Sequence, residues 1–468
     1  MEKEKTAGQK LEEQLCYKSE ACLRSQPELA DAAMAFCEGY KRFLDEGKTE
    51  RECARAAAQR LVEAGYKPYE PGVAYNPGDK VYLVNRGKSV VAATIGQLPL
   101  ERGIHMNVSH IDAPRLDLKP MPLYESDDLA LLKTHYYGGI RKYQWTALPL
   151  SLHGVICRAD GTKVEISLGD DPTDPVFCIT DLLPHLAADQ NERKLRDGVK
   201  GEELNILVGH RPVEDPEVKE RVKLYVLKLL NEKYGITEKD FIRAELEAVP
   251  AISARDVGLD RMLIGAYGQD DRVDAYPALM AEIETKDPTF TTLCVLTDKE
   301  EIGSEGVTGM NSLYVFHFIE QLCQAKGADY IRTLQNSICL SADVTAAVDP
   351  TFDSAFERRN STYAGRGVAI CKYTGSRGKG GANDASAELV GYVTRLLDKE
   401  NVIWQTGELG KVDQGGGGTI AAYSAYHNVD TIDIGVPVLS MHAPFEVTSK
   451  LDVYMAYRAF LAFARATE

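Results

Sequence analysis

From Glu245 onward, short apolar runs rich in β-branched residues alternate with longer stretches of helical periodicity. The spacing predicts helix over 270–284, strand over 290–297, helix over 312–326 and strand over 337–343. It continues with strand over 367–373, a helix over 384–399 opened by an Asn383-Asp384 cap, strands over 402–405 and 431–438, and a last helix over 450–467. This alternation constrains the fold more than any other feature, because it implies a mixed, mostly parallel sheet flanked by helices on both faces. In such α/β folds ligands gather at the carboxyl ends of the strands.

The first part of the chain supplies more of the same layer. Residues 1–66 read as helices, with apolar residues at helical spacing over Leu29 to Leu44 and a capping box at Thr49-Glu50-Arg51-Glu52. A hairpin follows over 80–95, and a strand over 103–108 delivers Ser109-His110-Ile111-Asp112. The texture then changes to aromatic and β-branched runs, with one charged helix expected over 216–233 and opened by Pro216. Strand-rich material interrupting an α/β pattern reads as an insertion. The expected organisation is an α/β domain in two parts, 1–120 and 246–468, with an inserted β-rich domain over 121–245.

At 468 residues the chain is long enough for about two or three domains, and 44% hydrophobic residues supply ample core. A net charge of −16 argues against nucleic acid or an anionic membrane as partner. None of the ten cysteines forms a C-x-x-C pair, and several sit in apolar runs, so they read as thiol filler in a reducing compartment. The charged start Met1-Glu2-Lys3-Glu4-Lys5 has no apolar segment behind it, and a cytoplasmic location is expected.

The run Asp298-Lys299-Glu300-Glu301-Ile302-Gly303-Ser304 follows the apolar strand Phe290 to Thr297. Adjacent carboxylates at a strand end point in different directions, so one can hold a metal while the other handles a proton. His110 and Asp112 share a face if the extended conformation continues, which lets Asp112 fix the tautomer of a metal-binding imidazole. Asp270, Asp343 and His442 also fall at strand ends or in adjoining loops. Each alone has a bland reading. Asp270 could be a helix cap, Asp343 a turn former and His442 an ordinary loop histidine. Taken together they form a mixed imidazole and carboxylate set for two divalent metals, to which Zn2+ is well suited, with Co2+ and Mn2+ compatible.

The wording and order of these blocks resemble the aspartyl aminopeptidase and aminopeptidase I family of di-zinc exopeptidases. The matching stretches are Ser109-His110-Ile111-Asp112, Gly268-Gln269-Asp270-Asp271-Arg272, Glu300-Glu301-Ile302-Gly303-Ser304, Ser341-Ala342-Asp343 and Met441-His442. Tyr136-Tyr137-Gly138-Gly139, Pro184-His185-Leu186-Ala187 and Gly415-Gly416-Gly417-Gly418-Thr419-Ile420 match as well, so the resemblance spans about residue 30 to the end.

The resemblance implies that Asp270 bridges both metals, His110 and Asp343 complete one, Glu301 and His442 complete the other, and Glu300 is the general base. It implies removal of the N-terminal residue from peptides, with acidic residues (Asp, Glu) the candidate preference. Lys372 matches a basic position that reads acidic side chains in relatives, and a solvated edge lysine is its alternative. The inserted domain would serve dimerisation, with dimers assembling into a dodecamer. His185 would reach into a neighbour's site, against the alternative of a buried structural histidine. The chain departs from relatives after Ser-Ala-Asp, where they often carry histidines, and in the glycine-rich, basic stretch 374–381. The same metal cluster also suits a di-zinc amidohydrolase acting on N-acylated amino acids, or a carboxypeptidase. A catalytically silent assembly protein on this fold would have lost a ligand or the base, and the sequence retains all of them.

Overall fold

The computed structural model describes residues 5–17 and 19–468, so the charged start Met1 to Glu4 lies outside the described residues. A nine-stranded sheet forms the frame, in the order Lys67–Pro68, Lys80–Asn85, Ser89–Thr94, Thr291–Thr297, Ile104–His110, Ile338–Ala342, Asp430–Gly435, Val368–Cys371 and Trp404–Thr406. Its four central strands, from Thr291–Thr297 to Asp430–Gly435, run parallel. Strand Thr291–Thr297 is buried at every position, as its unbroken apolar run requires when helices cover both faces. One apolar layer packs the sheet against helices Leu29–Glu46, Gln269–Glu284 and Lys450–Ala464, and another packs it against Tyr314–Lys326.

The Thr49 capping box forms as the sequence implies. Thr49 accepts from the Glu52 amide, and the Glu52 carboxylate accepts from the Thr49 amide, opening helix Glu50–Glu63. Other helix starts differ from expectation for identifiable reasons. Helix Ala387–Lys399 begins after Ser386, whose hydroxyl accepts from Leu389 N, while Asp384 bridges to Tyr373 and the Asn383 amide donates to the Thr431 carbonyl. Helix Arg221–Tyr234 starts well beyond Pro216 because a distant carboxylate caps it: Glu125 accepts from Val222 N and Lys223 N, at 2.8 and 2.9 Å.

The strand expected over 431–438 is two strands in two sheets. It breaks at Val436, whose amide donates to Asp274 Oδ2 (3.1 Å), and Pro437–Leu439 joins a small sheet with Arg255–Val257, Leu263–Ala266, Glu446–Ser449 and Thr345–Ala346. The break carries the chain sideways and across the end of the main sheet.

The strand-rich unit is a seven-stranded antiparallel sheet, in the order Lys163–Leu168, Leu150–Cys157, Ala244–Pro250, Arg115–Ser126, Leu129–Tyr137, Asn205–Gly209 and Cys178–Ile179. It runs from Arg115 to Pro250 rather than over 121–245. The entering strand Arg115–Ser126 and the leaving strand Ala244–Pro250 pair with each other at Leu116–Ala248 and Asp117–Glu247, so the sheet begins where the chain crosses. All ten cysteines are free, six of them buried beyond Cys22 among apolar neighbours or strands. Among the described residues no helix is long and apolar enough to cross a membrane.

Candidate metal centre

Three parallel strands each deliver an acidic or imidazole group from the same end. Ile104–His110 ends on His110, Thr291–Thr297 leads into Glu300 and Glu301, and Ile338–Ala342 leads into Asp343. Lys299 adopts left-handed backbone (φ 69°), and this reversal turns Glu300 and Glu301 back over the sheet. Asp270 and His442 come from the small sheet, the first after Leu263–Ala266 and the second after Pro437–Leu439. One feature of the sequence holds these two together: buried Glu446, at the start of Glu446–Ser449, accepts from His442 N (2.7 Å) and Asp270 N (3.1 Å).

Asp270 sits between the two imidazoles. Its Oδ1 lies 3.2 Å from His110 Nε2 and its Oδ2 lies 3.1 Å from His442 Nε2. His110 Nε2 is also 3.9 Å from Asp343 Oδ1 and 4.0 Å from Glu300 Oε2, while His442 Nε2 is 3.5 Å from Glu301 Oε2. Both rings are held from behind. His110 Nδ1 meets the Asp112 carbonyl and carboxylate, each at 3.2 Å, and His442 Nδ1 donates to the Gly139 carbonyl at 2.7 Å. That assigns the proton to Nδ1 and turns the Nε2 lone pair of each ring into the cluster. Asp112 also accepts from Glu300 N (3.1 Å), Glu301 N (3.3 Å) and the Tyr137 hydroxyl (2.7 Å), tying the histidine to the carboxylate pair.

The charge balance of the cluster calls for cations. Burial drives the carboxyls of Glu301 and Asp343 well above their ordinary range, and repulsion from Asp270 and Glu300 respectively adds to it. Burial likewise pushes Glu300 up to about 7, with His110 opposing and Asp112 and Asp270 reinforcing the rise. Asp270 goes the other way: burial resists ionisation, but the imidazoles of His110 and His442, one beside each of its oxygens, hold its carboxyl well below the usual range. Carboxylates crowded in this way without Lys or Arg are stabilised by bound metal charge. Two buried atoms, His110 Nε2 and Glu301 Oε1, have no hydrogen-bond partner among the described residues. The groups His110–Asp270–Glu301 and His110–Glu300–Asp343 each bring their ligand atoms within 4.8 Å of one another. Imidazole nitrogen with carboxylate oxygen is a donor set that zinc accepts.

The cluster opens on a cavity of about 560 Å3, whose far wall includes Val344, Cys371, Tyr373, Thr419, Tyr423 and Asp433. Lys372 does not line it. Side chains alternate along an extended segment, so Cys371 and Tyr373 face the cavity while Lys372 is exposed on the other side. His185 is exposed too, in the short turn Pro184–Leu186 of the strand-rich unit, and is not a buried structural histidine. Neither residue joins the cluster within one chain. Glu446 and Gly139 were missed by sequence reasoning. The first carried a faint signal, a carboxylate just past the His442 loop; the second lay in the matching stretch Tyr136-Tyr137-Gly138-Gly139 but gave no hint of its role, since its carbonyl is the functional group.

An α/β sheet whose strand ends gather imidazoles and carboxylates around orphaned ligand atoms defines a metal-dependent hydrolase. The chain belongs to the aminopeptidase I zinc metalloprotease family (M18), whose model matches residues 43–464, and it is a zinc-dependent metallo-aminopeptidase. A probable M18 family aminopeptidase 1 from Clostridium acetobutylicum is 49% identical over 433 residues, 91% of this chain and 93% of that protein. A crystal structure of an M18-family aminopeptidase from Thermotoga maritima superposes with a TM-score of 0.92 at 45% identity, covering 96% of this chain and 99% of that one. The mApe1 dodecamer of S. cerevisiae shares the fold at 20% identity, with a TM-score of 0.75 over 93% of this chain and 97% of that one.

Proposed function

We propose that the chain removes single N-terminal residues from peptides with two divalent ions, in the first instance Zn2+. His110 and Asp343 would hold one ion, Glu301 and His442 the other, and Asp270 would bridge them. The observation that carries this reading is the Asp270 carboxylate, with one oxygen beside each imidazole. Bound there, divalent ions supply Lewis acidity that polarises the scissile carbonyl and acidifies a water.

The remaining work falls to the chain's own groups. Glu300 takes a proton from the attacking water and passes it to the nitrogen of the leaving amine. Its carboxylate accepts no hydrogen bond from the protein among the described residues, which leaves it free for that exchange. Asp112 holds the His110 tautomer and fixes the backbone of Glu300 and Glu301. A free α-amino group is received at the acidic end of the cavity, beside Asp270 and Glu301.

The cavity lining favours an aminopeptidase over a carboxypeptidase or a deacylase of N-acyl amino acids. Those enzymes must bind a free carboxylate, and no Lys or Arg is among the lining residues. For the same reason an acidic first residue meets no Lys or Arg in the cavity lining among the described residues, and we expect neutral first residues to be cleaved at least as well as Asp or Glu. Homo-oligomerisation, with dimers building towards a dodecamer, draws support from exposed Leu182, Leu183, Leu186 and Leu195, an apolar group around His185. We assign His185 to an interface with a second copy rather than to its own cavity. The ten free thiols favour a reducing compartment, the cytoplasm.

The test is a panel of aminoacyl substrates assayed with defined metals. Hydrolysis of free-amine peptides with little action on their N-acetylated forms supports the reading; preference for the N-acylated forms overturns it.

A further inference from the structure

Both imidazoles are steadied by one short segment of the strand-rich unit. Strand Leu129–Tyr137 ends on Tyr137, and the chain leaves it through Gly138-Gly139. Tyr137 donates its hydroxyl to Asp112 Oδ2, and Gly139 supplies the carbonyl that receives His442 Nδ1. Between them the backbone presses on the metal-facing side chains. A Cβ on Gly138 would lie 3.2 Å from both Cβ and Oε2 of Glu301, and one on Gly139 would lie 3.3 Å from His442 Nδ1. Three residues therefore bear on His110, Glu301 and His442.

Tyr137 is itself seated firmly. The Arg115 guanidinium lies 3.9 Å from its ring centroid, and Arg115 is buried among Asp117 (2.8 Å), Glu247 (3.2 Å) and Glu50 (3.4 Å). This seat fixes the direction of the hydroxyl. Asp112 depends on it, because among the described residues Oδ2 otherwise accepts only the 3.3 Å bond from Glu301 N. With the hydroxyl gone the carboxylate can swing about its last torsion, loosening the His110 ring and the 300–301 turn together.

We propose that Tyr137–Gly139 is a clamp through which the inserted unit governs zinc retention, with Tyr137 as its positioning residue. The inference rests on the ligand assignment proposed above. Tyr137→Phe keeps the ring over Arg115 and removes only the hydroxyl. Zinc-loaded full-length protein mixed with excess chromogenic chelator should release zinc about 10–100-fold faster in this variant than in wild type, the scale of losing an outer partner of a metal ligand. The unfolding temperature of the metal-stripped protein should fall only by the few degrees that losing one buried hydrogen bond costs. Gly139→Ala, which crowds His442 without touching Asp112, tests the segment independently and should also speed release.

Release at the wild-type rate in both variants overturns the clamp. A lower metal-free unfolding temperature with unchanged release gives Tyr137 a packing role alone and overturns it equally. His110→Ala separates the two layers of the argument. If it holds zinc like wild type, the ligand assignment itself fails; if it loses zinc while Tyr137→Phe does not, the assignment stands and the clamp falls.

Discussion

At the residue scale, the site depends on which atom each side chain turns inward. Lys372 makes the point. A basic residue beside a specificity pocket suggests recognition of acidic substrates, yet strand alternation turns Cys371 and Tyr373 to the cavity and leaves Lys372 outside. Lys372→Ala should therefore change the kcat/KM ratio between Glu- and Leu-initiated substrates by no more than about twofold, the scale of a surface substitution. A selective loss on the acidic substrate would put Lys372 back at the site. His110, Asp270, Glu300, Glu301, Asp343 and His442 were legible because polar groups just past apolar strands are conspicuous and their types suit a metal. Glu446 and Gly139 were not. They act through backbone N–H and C=O groups, and the pattern of side chains carries little trace of that.

At the scale of elements, the alternation of strand and helix was readable while several boundaries were not. The capping box at Thr49 is local, three residues from partner to partner, and the sequence displays it whole. The start of helix Arg221–Tyr234 is set instead by Glu125, on a strand nearly a hundred residues earlier, and no local pattern announces such a cap. Glu125→Ala should cost about 1 kcal/mol of stability in denaturant unfolding, as removal of a helix cap does. No change would mean that water satisfies those amides equally well. The break at Val436 has the same origin. Asp274, on helix Gln269–Glu284, takes the Val436 amide and ends the main-sheet strand, and only then can the chain carry His442 to Asp270.

At the scale of the whole molecule, the strand-rich unit is joined to the metal-bearing layer by buried ions as well as by apolar contact. His153, on strand Leu150–Cys157, lies 2.9 Å from Glu52 of helix Glu50–Glu63 and 3.0 Å from Asp170, with Ser151 at 3.0 Å and Lys48 the nearby cation. Burial opposes its protonation, but the two carboxylates outweigh that and lift the imidazole from 6.5 to about 9. Because the folded-state value is raised, the stability it contributes is complete below pH 6.5 and is lost as pH rises through about 9. The loss should be about 1.4 kcal/mol per unit of difference in pKa. Denaturant unfolding from about pH 6 to pH 10 should show this decline in wild type and not in His153→Gln. Parallel slopes in the two proteins would remove His153 from the joint. The change in texture announced a strand-rich stretch, but not which strands open and close its sheet. Those two pair at Leu116–Ala248 and Asp117–Glu247, across about 130 residues of sequence separation.

The division of labour between Glu300 and Glu301 is the claim on which the account turns, and metal content measured beside turnover in Glu300→Gln tests it most directly. Glu301 keeps its place in this variant, so the account predicts a zinc content equal to that of wild type, with turnover lower by about 10^2–10^4-fold, the contribution of a positioned general base. Turnover near the wild-type rate, or loss of zinc in step with activity, would contradict it.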